Sequence, residues 1–234
     1  RVLNRLLPDD IMVLGWAAAP SQDYQARFNA ETRTYRYYFL QRKLDLKAMG
    51  QAGLLLQGEH DFRNFCKMDV MNVNNFVRII HSVEIKHSND DMYFVEVKGT
   101  AFLWHQIRCI VSVLFMVGRG DEKPDIVSQL FNIGQVPGKP TYDMAAGDPL
   151  ILFHSEYARA DLDFNYDAST LNRLRQQLEY RVAIHEIRSK MAQGVIEAID
   201  ALPLSDSNFN SRGSHDRLEG NLKSTGQIEL VKED

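Results

Sequence analysis

The chain has 234 residues, 44% of them hydrophobic and 25% charged, with a formal net charge of −4 at pH 7. That is the make-up of a globular protein with one sizeable core and room for a small appendage. The mildly acidic balance argues against indiscriminate nucleic-acid binding but leaves room for a local basic groove on an acidic body. Cys66 and Cys109 are the only cysteines, in neither a CxxC pair nor a zinc spacing, so free thiols in a reducing compartment are expected. No apolar run is long enough to span a bilayer and no signal peptide is evident. The opening, Arg1-Val-Leu-Asn-Arg-Leu-Leu-Pro, lacks an initiator Met and starts within a patterned segment, as expected of a chain cut from a longer protein.

Residues 11–17 (IMVLGWA) predict a short buried strand, and Arg33 to Leu40 (RTYRYYFL) a second, rich in aromatic and β-propensity residues. At period two, Tyr35, Tyr37 and Phe39 share one face of it and Arg36, Tyr38 and Leu40 the other. Leu46 to Leu56 has helical spacing and ends at the Gly58-Glu59-His60 turn. Phe76 to Lys86 and Met92 to Lys98 alternate as a pair of antiparallel strands, with Asn89-Asp90-Asp91 suited to the hairpin between them.

The next stretch, Gly99 to Gly118 (GTAFLWHQIRCIVSVLFMVG), predicts a long helix. Phe102, Leu103, Ile107, Ile110, Val111, Leu114 and Val117 form a broad apolar stripe, and Arg108 falls inside it. Burying an unpaired guanidinium costs several kcal/mol at least. Arg108 must therefore reach solvent at the helix rim or meet a carboxylate or phosphate at the edge of a cleft. Asp125 to Ile133 reads as a short helix, 137–149 as a Pro- and Gly-rich loop, and Leu150 to Tyr157 (LILFHSEY) as a further strand. Ser169 is read as the cap of a long helix bearing Leu171, Leu174, Leu178, Val182, Ile187 and Met191 on one stripe. From Pro203 onward the composition is polar, as in a disordered tail. Helices among antiparallel strands make the class α+β, an antiparallel sheet with helices packed on one face.

No GxGxxG, P-loop or HxxxH pairing within one helix is present, so neither a nucleotide cofactor nor a metal is expected. Cys66 has no obvious nearby base and reads as a buried, inert thiol. What remains is a set of cations near aromatics: Arg27, Arg33, Arg36, Arg63, Lys67, Arg78 and Arg108 beside Phe28, Tyr35, Tyr37, Phe62 and Phe65. Such interleaving suits phosphate neutralisation with base stacking on RNA, although each residue alone would serve a core or a solvated edge equally well.

Several of these segments, in this order, resemble the TruA family of tRNA pseudouridine synthases. They are Leu3-Asn4 with Leu7-Pro8-Asp9-Asp10-Ile11, Tyr24-Gln25-Ala26-Arg27-Phe28 and Arg33-Thr34-Tyr35-Arg36-Tyr37, then Gly58-Glu59-His60-Asp61-Phe62-Arg63-Asn64-Phe65, and Thr100-Ala101-Phe102 with His105, Ile107 and Arg108. Asn64-Phe65-Cys66-Lys67-Met68-Asp69 looks most like the eukaryotic branch that modifies positions 38 and 39 of the tRNA anticodon stem-loop. The resemblance implies a pseudouridine synthase fold, of which residues 1–160 would be the C-terminal half of the catalytic domain, 161–202 a helical extension and 203–234 a disordered polar tail. It implies isomerisation of a uridine without cofactor or metal, on a nucleotide turned out of its helix.

In the family an aspartate attacks the nucleoside, either to break the glycosidic bond or through a related elimination, and that aspartate lies in a Gly-Arg-Thr-Asp-type motif. This sequence contains no such motif, so the fragment alone is expected to be inactive, its partner being the missing N-terminal half of the same protein. By resemblance Tyr35 stacks on the target base and Arg108 pairs with the catalytic aspartate. Leu150 lines the base pocket, Phe102 supports the same wall, and Arg27, Arg33 and Lys67 contact phosphate. tRNA is the expected partner and a homodimer the expected assembly, in nucleus or cytoplasm with mitochondria left open and no role at a membrane. The alternative is a non-catalytic RNA-binding module that uses the sheet aromatics and arginines.

Overall fold

The computed structural model describes residues 3–8, 10–67, 73–158 and 162–202; the tail expected from Pro203 onward lies outside them. In chain order the elements are a 3-10 turn at Leu3–Arg5, β1 (Gly15–Trp16), α1 (Ala26–Asn29), β2 (Thr32–Leu40), α2 (Leu46–Leu55), β3 (Gly58–Asp61) and a 3-10 turn at Arg63–Phe65. There follow β4 (Val77–Asn89), β5 (Met92–Gly99), α3 (Gln106–Arg119), α4 (Ile126–Phe131), β6 (Leu150–Glu156), β7 (Asn165–Tyr166) and α5 (Ala168–Asp200). Among the described residues, 25–158 form one compact unit, and 3–24 with 162–202 form another.

The first unit is built on an antiparallel sheet of order β3-β4-β5-β2-β6. The expected hairpin is β4–β5, in which Asp90 takes a positive φ of 45° as its turn demands. β2 lies inside the sheet, with Tyr37 opposite Val95 on β5 and Leu150 on β6. The period of two along β2 then decides which side chains enter the core. Tyr37 and Phe39 are buried and both meet Phe115 of α3 edge-on, at 5.9 and 5.3 Å between ring centroids. On the other face Arg36 lies between the rings of Phe94 and Phe153 and donates to Glu96 at 2.6 Å, while Lys86 reaches the second oxygen of Glu96 at 2.6 Å.

The helices cover the Tyr37 face. α2 starts at Asp45, whose carboxylate accepts from the backbone N–H groups of Lys47 and Ala48. α3 is the core of the unit: every residue from Gln106 to Gly118 except Arg108 is buried. Each fully covered Ile, Val or Leu on it contributes about 1.5–3 kcal/mol of burial. Gly120 closes α3 at φ 79°, a conformation that glycine adopts without strain. α4 is tied to the turn at Arg63–Phe65 by Asn64, which donates to the carbonyls of Leu130 and Val136, both at 2.8 Å.

Two expected boundaries move. The helix begins at Gln106 rather than near Gly99, because His105 stands in the left-handed region (φ 58°), which ends regular structure there. Phe102 and Leu103 are therefore loop residues, although Leu103 is still buried. The buried strand expected over 11–17 shrinks to β1, paired only with β7, and Trp16 is exposed, since two residues of ribbon cannot enclose a face. In the second unit α5 is capped by Asp167, whose carboxylate accepts from the Thr170 N–H and from the hydroxyls of Ser169 and Thr170. Ser169, the expected cap, instead donates to the residue that performs that role. No described helix is long and apolar enough to cross a membrane.

Candidate active site

Arg108 is partly exposed, and within this chain it meets neutral groups. Its Nε donates to the carbonyl of Ala145 at 2.6 Å, and its Nη1 lies 3.3 Å from Nδ1 of His105. Among the described residues no carboxylate is within ion-pair distance of it. The backbone returns the contact, because Ala145 N–H donates to the Arg108 carbonyl at 3.3 Å, and one turn later the Ser112 hydroxyl donates to the carbonyl of Asp143. The loop before β6 is thus clamped to α3 at Asp143 and Ala145. A side chain at Gly147 would stand 3.8 Å from Nη1, so glycine leaves one flank of the guanidinium open.

The imidazole of His105 is held below its usual pKa by burial first, then by the positive charges of Arg108 and Lys67. It is therefore neutral at pH 7 and can accept at Nδ1. Both partners of Arg108 are uncharged, which fixes the planar fork without neutralising it. The remaining N–H groups of Arg108 have no acceptor among the described residues. A positive donor array of this kind suits a carboxylate or phosphate brought to it.

Beside it stand the aromatics of β2. The Tyr37 hydroxyl is pushed up to about 12 by burial, with Arg108 pulling it down and Asp148 pushing it up, so Tyr37 is a neutral phenol within reach of the Arg108 charge. Tyr35, two residues earlier on the same face, is half-buried and meets Phe102 edge-on at 5.3 Å. Room for that ring exists because residue 99 is glycine: a Cβ there would lie 2.9 Å from Phe102 Cζ. On the β6 side the register shifts by a bulge between Thr34 and Tyr35, which re-aims a side chain locally. Leu150, opposite Tyr37, is partly buried against the core.

Tyr35, Phe102, Leu150 and Arg108 thus border one part of the sheet and its two flanking loops. The outlying cations are placed differently. Arg33 is turned onto backbone: Nη1 donates to the carbonyls of Ala30 (3.3 Å) and Thr100 (2.5 Å), and Nη2 to that of Arg27. Arg27 is exposed, its guanidinium 5.7 Å from the Phe28 ring. Lys67 is exposed with Nζ 4.7 Å from the Trp104 ring. Two participants carried no role at the level of sequence. His105 stood in the motif that carries the resemblance but with no role attached, and Gly147 gave a signal only as a glycine near a strand start. The Ala145 carbonyl has no side-chain signature at all.

Comparison with known proteins places this chain in a class. A family model described as tRNA pseudouridine synthase matches residues 52–158. The tRNA pseudouridine(38/39) synthase of Homo sapiens is 37% identical over 215 residues, covering 87% of this chain and 44% of the human protein. That of Saccharomyces cerevisiae is 40% identical over 161 residues, covering 68% of this chain and 36% of the yeast protein. The tRNA pseudouridine synthase A of Methanothrix thermoacetophila is 33% identical over 198 residues, 84% of this chain and 68% of the archaeal protein. The chain therefore spans less than half the length of the human and yeast relatives and about two-thirds of the archaeal one. It belongs to the TruA family of tRNA pseudouridine synthases, an isomerase family of tRNA modification, and is similar to members of its 38/39 branch at 37–40% identity.

Proposed function

We propose that this chain supplies the tyrosine and arginine side of an active site that isomerises uridine to pseudouridine in the anticodon stem-loop of tRNA, at positions 38/39. The observation that carries the reading is Arg108, a guanidinium fixed by two neutral partners with its other donors unspent. In this reading those donors meet the nucleophilic aspartate of a Gly-Arg-Thr-Asp-type motif, which is not among these 234 residues, and keep it ionised. Tyr35 stacks on the base once it has left the helix, and Phe102 and Leu150 line the pocket around it. The N1–C1′ bond breaks, a C5–C1′ bond forms, the C5 proton leaves and N1 gains a proton, so the step balances without any co-reactant. Arg27 and Lys67 face phosphate, while Arg33, its fork occupied by carbonyls, orders the loops between them.

A sheet module without catalysis would present its aromatics to solvent. The burial of Tyr37 and the cover of Phe102 over Tyr35 weigh against it. We also infer a homodimer, because Leu178, Val182, Ile187, Met191, Val195 and Ile199 of α5 are all more than 45% exposed, an apolar stripe with no neighbour among the described residues.

The test is tritium release from tRNA labelled at uridine C5, with the complete gene product. Arg108→Lys and Arg108→Ala are each expected to lower kcat at least about 100-fold, the scale of losing a preorganised charge partner. Full activity of Arg108→Lys would overturn the role given to the fork. The 234 residues assayed alone are expected to release no tritium, and turnover by them would overturn the placing of the nucleophile elsewhere.

A further inference from the structure

Trp104 is an anomaly in the turn that leads into α3. Its neighbour Leu103 points inward and is 7% exposed, whereas Trp104 is 52% exposed. The turn is held firmly: Lys67 N–H donates to the Trp104 carbonyl at 3.1 Å, and the Gln106 side-chain oxygen accepts from the Leu103 N–H at 2.7 Å. His105 adopts a left-handed conformation that only the surrounding contacts sustain. A large indole is therefore presented to water by a fixed backbone. The His105 ring lies 4.7 Å away at a tilt of 32°, the ammonium of Lys67 4.7 Å from the indole centroid, and Arg108 one helical turn further on. No acidic group among the described residues pairs with Lys67 or Arg108.

An exposed indole with a cation on it, one helical turn before an unspent guanidinium, has the two parts from which single-stranded nucleic acid sites are made: a stacking surface and a phosphate contact. Turning a uridine out of its stack strips one face from the base beside it. We propose that Trp104 stacks on the base adjoining the target uridine, with the Lys67 ammonium on the phosphate between them. The proposal rests on the reading of this chain as part of a tRNA pseudouridine synthase. It adds to Tyr35, which takes the target base itself, a second aromatic that holds its neighbour and so keeps the gap open.

The experiment uses the complete gene product and an anticodon stem-loop RNA carrying 2-aminopurine on either side of the target uridine, with an unrelated hairpin of equal length as control. In the wild type, binding is expected to quench the fluorescence of one of the two flanking probes. Trp104→Ala should abolish that quenching and raise Kd about 5- to 100-fold, the range found for loss of one base–aromatic stack. Trp104→Phe, which keeps a ring, should stay within about threefold and retain the quenching. Lys67→Ala should lower the slope of log K against log salt by roughly 0.7–1, one phosphate contact. The Phe and Lys67 variants also carry the test if Trp104→Ala fails to fold. Unchanged Kd and quenching in folded Trp104→Ala overturn the role of Trp104 and leave the enzyme reading standing. A wild type that binds the stem-loop no better than the control hairpin overturns both.

Discussion

Replacing Gly99 by alanine tests how the Tyr35 wall is assembled. Gly99 ends β5 with ordinary strand dihedrals, so backbone strain is not at issue; space is. A Cβ built there lies 2.7 Å from the carbonyl oxygen of Ile79 and 2.9 Å from Phe102 Cζ. Neither neighbour yields cheaply. The Ile79 carbonyl accepts from the Thr100 N–H at 3.2 Å on the strand β4, and the Phe102 ring is braced edge-on against Tyr35. Overpacking of this kind costs about 1–3 kcal/mol. For a unit of this size each kcal/mol lowers Tm by roughly 3–5 °C, so Gly99→Ala should melt about 3–15 °C below the wild type. Differential scanning calorimetry reads this directly. Combining Gly99→Ala with Phe102→Leu should recover at least about 0.5 kcal/mol beyond additivity, because one of the two collisions is removed while the carbonyl collision persists. A Tm within 1 °C of wild type for the single variant, or strict additivity in the double, would refute this account of the wall.

Three other outcomes are expected. Burial tends to raise the Glu96 carboxyl, but its hydrogen bonds with Lys86 and Arg36 outweigh that and hold it below its usual range. It therefore stabilises the fold above the unfolded value of about 4.5, an effect lost as pH falls through the lower folded value. Glu96→Gln should cost about 1–2 kcal/mol at pH 7, discounted for the exposure of Lys86, and flatten the loss of stability as pH falls below about 4.5 in urea titrations. Burial pushes the Cys66 thiol up to about 11. With so little thiolate present, native protein should react with a thiol reagent at pH 8 roughly 100-fold more slowly than in denaturant. Leu178→Asp on α5 should convert a dimer to a monomer in light scattering coupled to size exclusion, and a monomeric wild type would remove the basis of that assembly.

Much of the architecture was legible from periodicity. Alternation in RTYRYYFL put Tyr37 and Phe39 on one face and Arg36 on the other, and the burial on β2 divides the same way, because a strand has two faces and no third choice. The apolar run before Gly118 identified the central helix but not its start. Phe102 and Leu103 have the hydrophobicity of helix residues, and nothing in composition betrays the left-handed turn at His105 that excludes them. At the site, Arg108 stood out because a lone cation in an apolar stripe demands a partner. Its partner proved to be a main-chain carbonyl from residue 145, and carbonyls look alike at every position of a sequence. The same holds for Arg33, which reads as a phosphate-binding cation and gathers three carbonyls from two segments.

The position of β2 has a consequence for how the chain comes off the ribosome. β2 is the earliest long strand, yet both strands that flank it, β5 and β6, are made later. At about 5–20 residues per second of synthesis, β2 waits several seconds for β5 and roughly twice as long for β6. Throughout that wait the segment Tyr35-Arg36-Tyr37-Tyr38-Phe39 is an unpaired aromatic strand, the composition most prone to pair with other chains. The β4–β5 hairpin, by contrast, closes within its own span and can form as soon as Gly99 clears the exit tunnel. Newly made protein is thus most exposed to aggregation between the synthesis of Leu40 and that of Gly99, the interval in which a nascent-chain chaperone has the strand to hold.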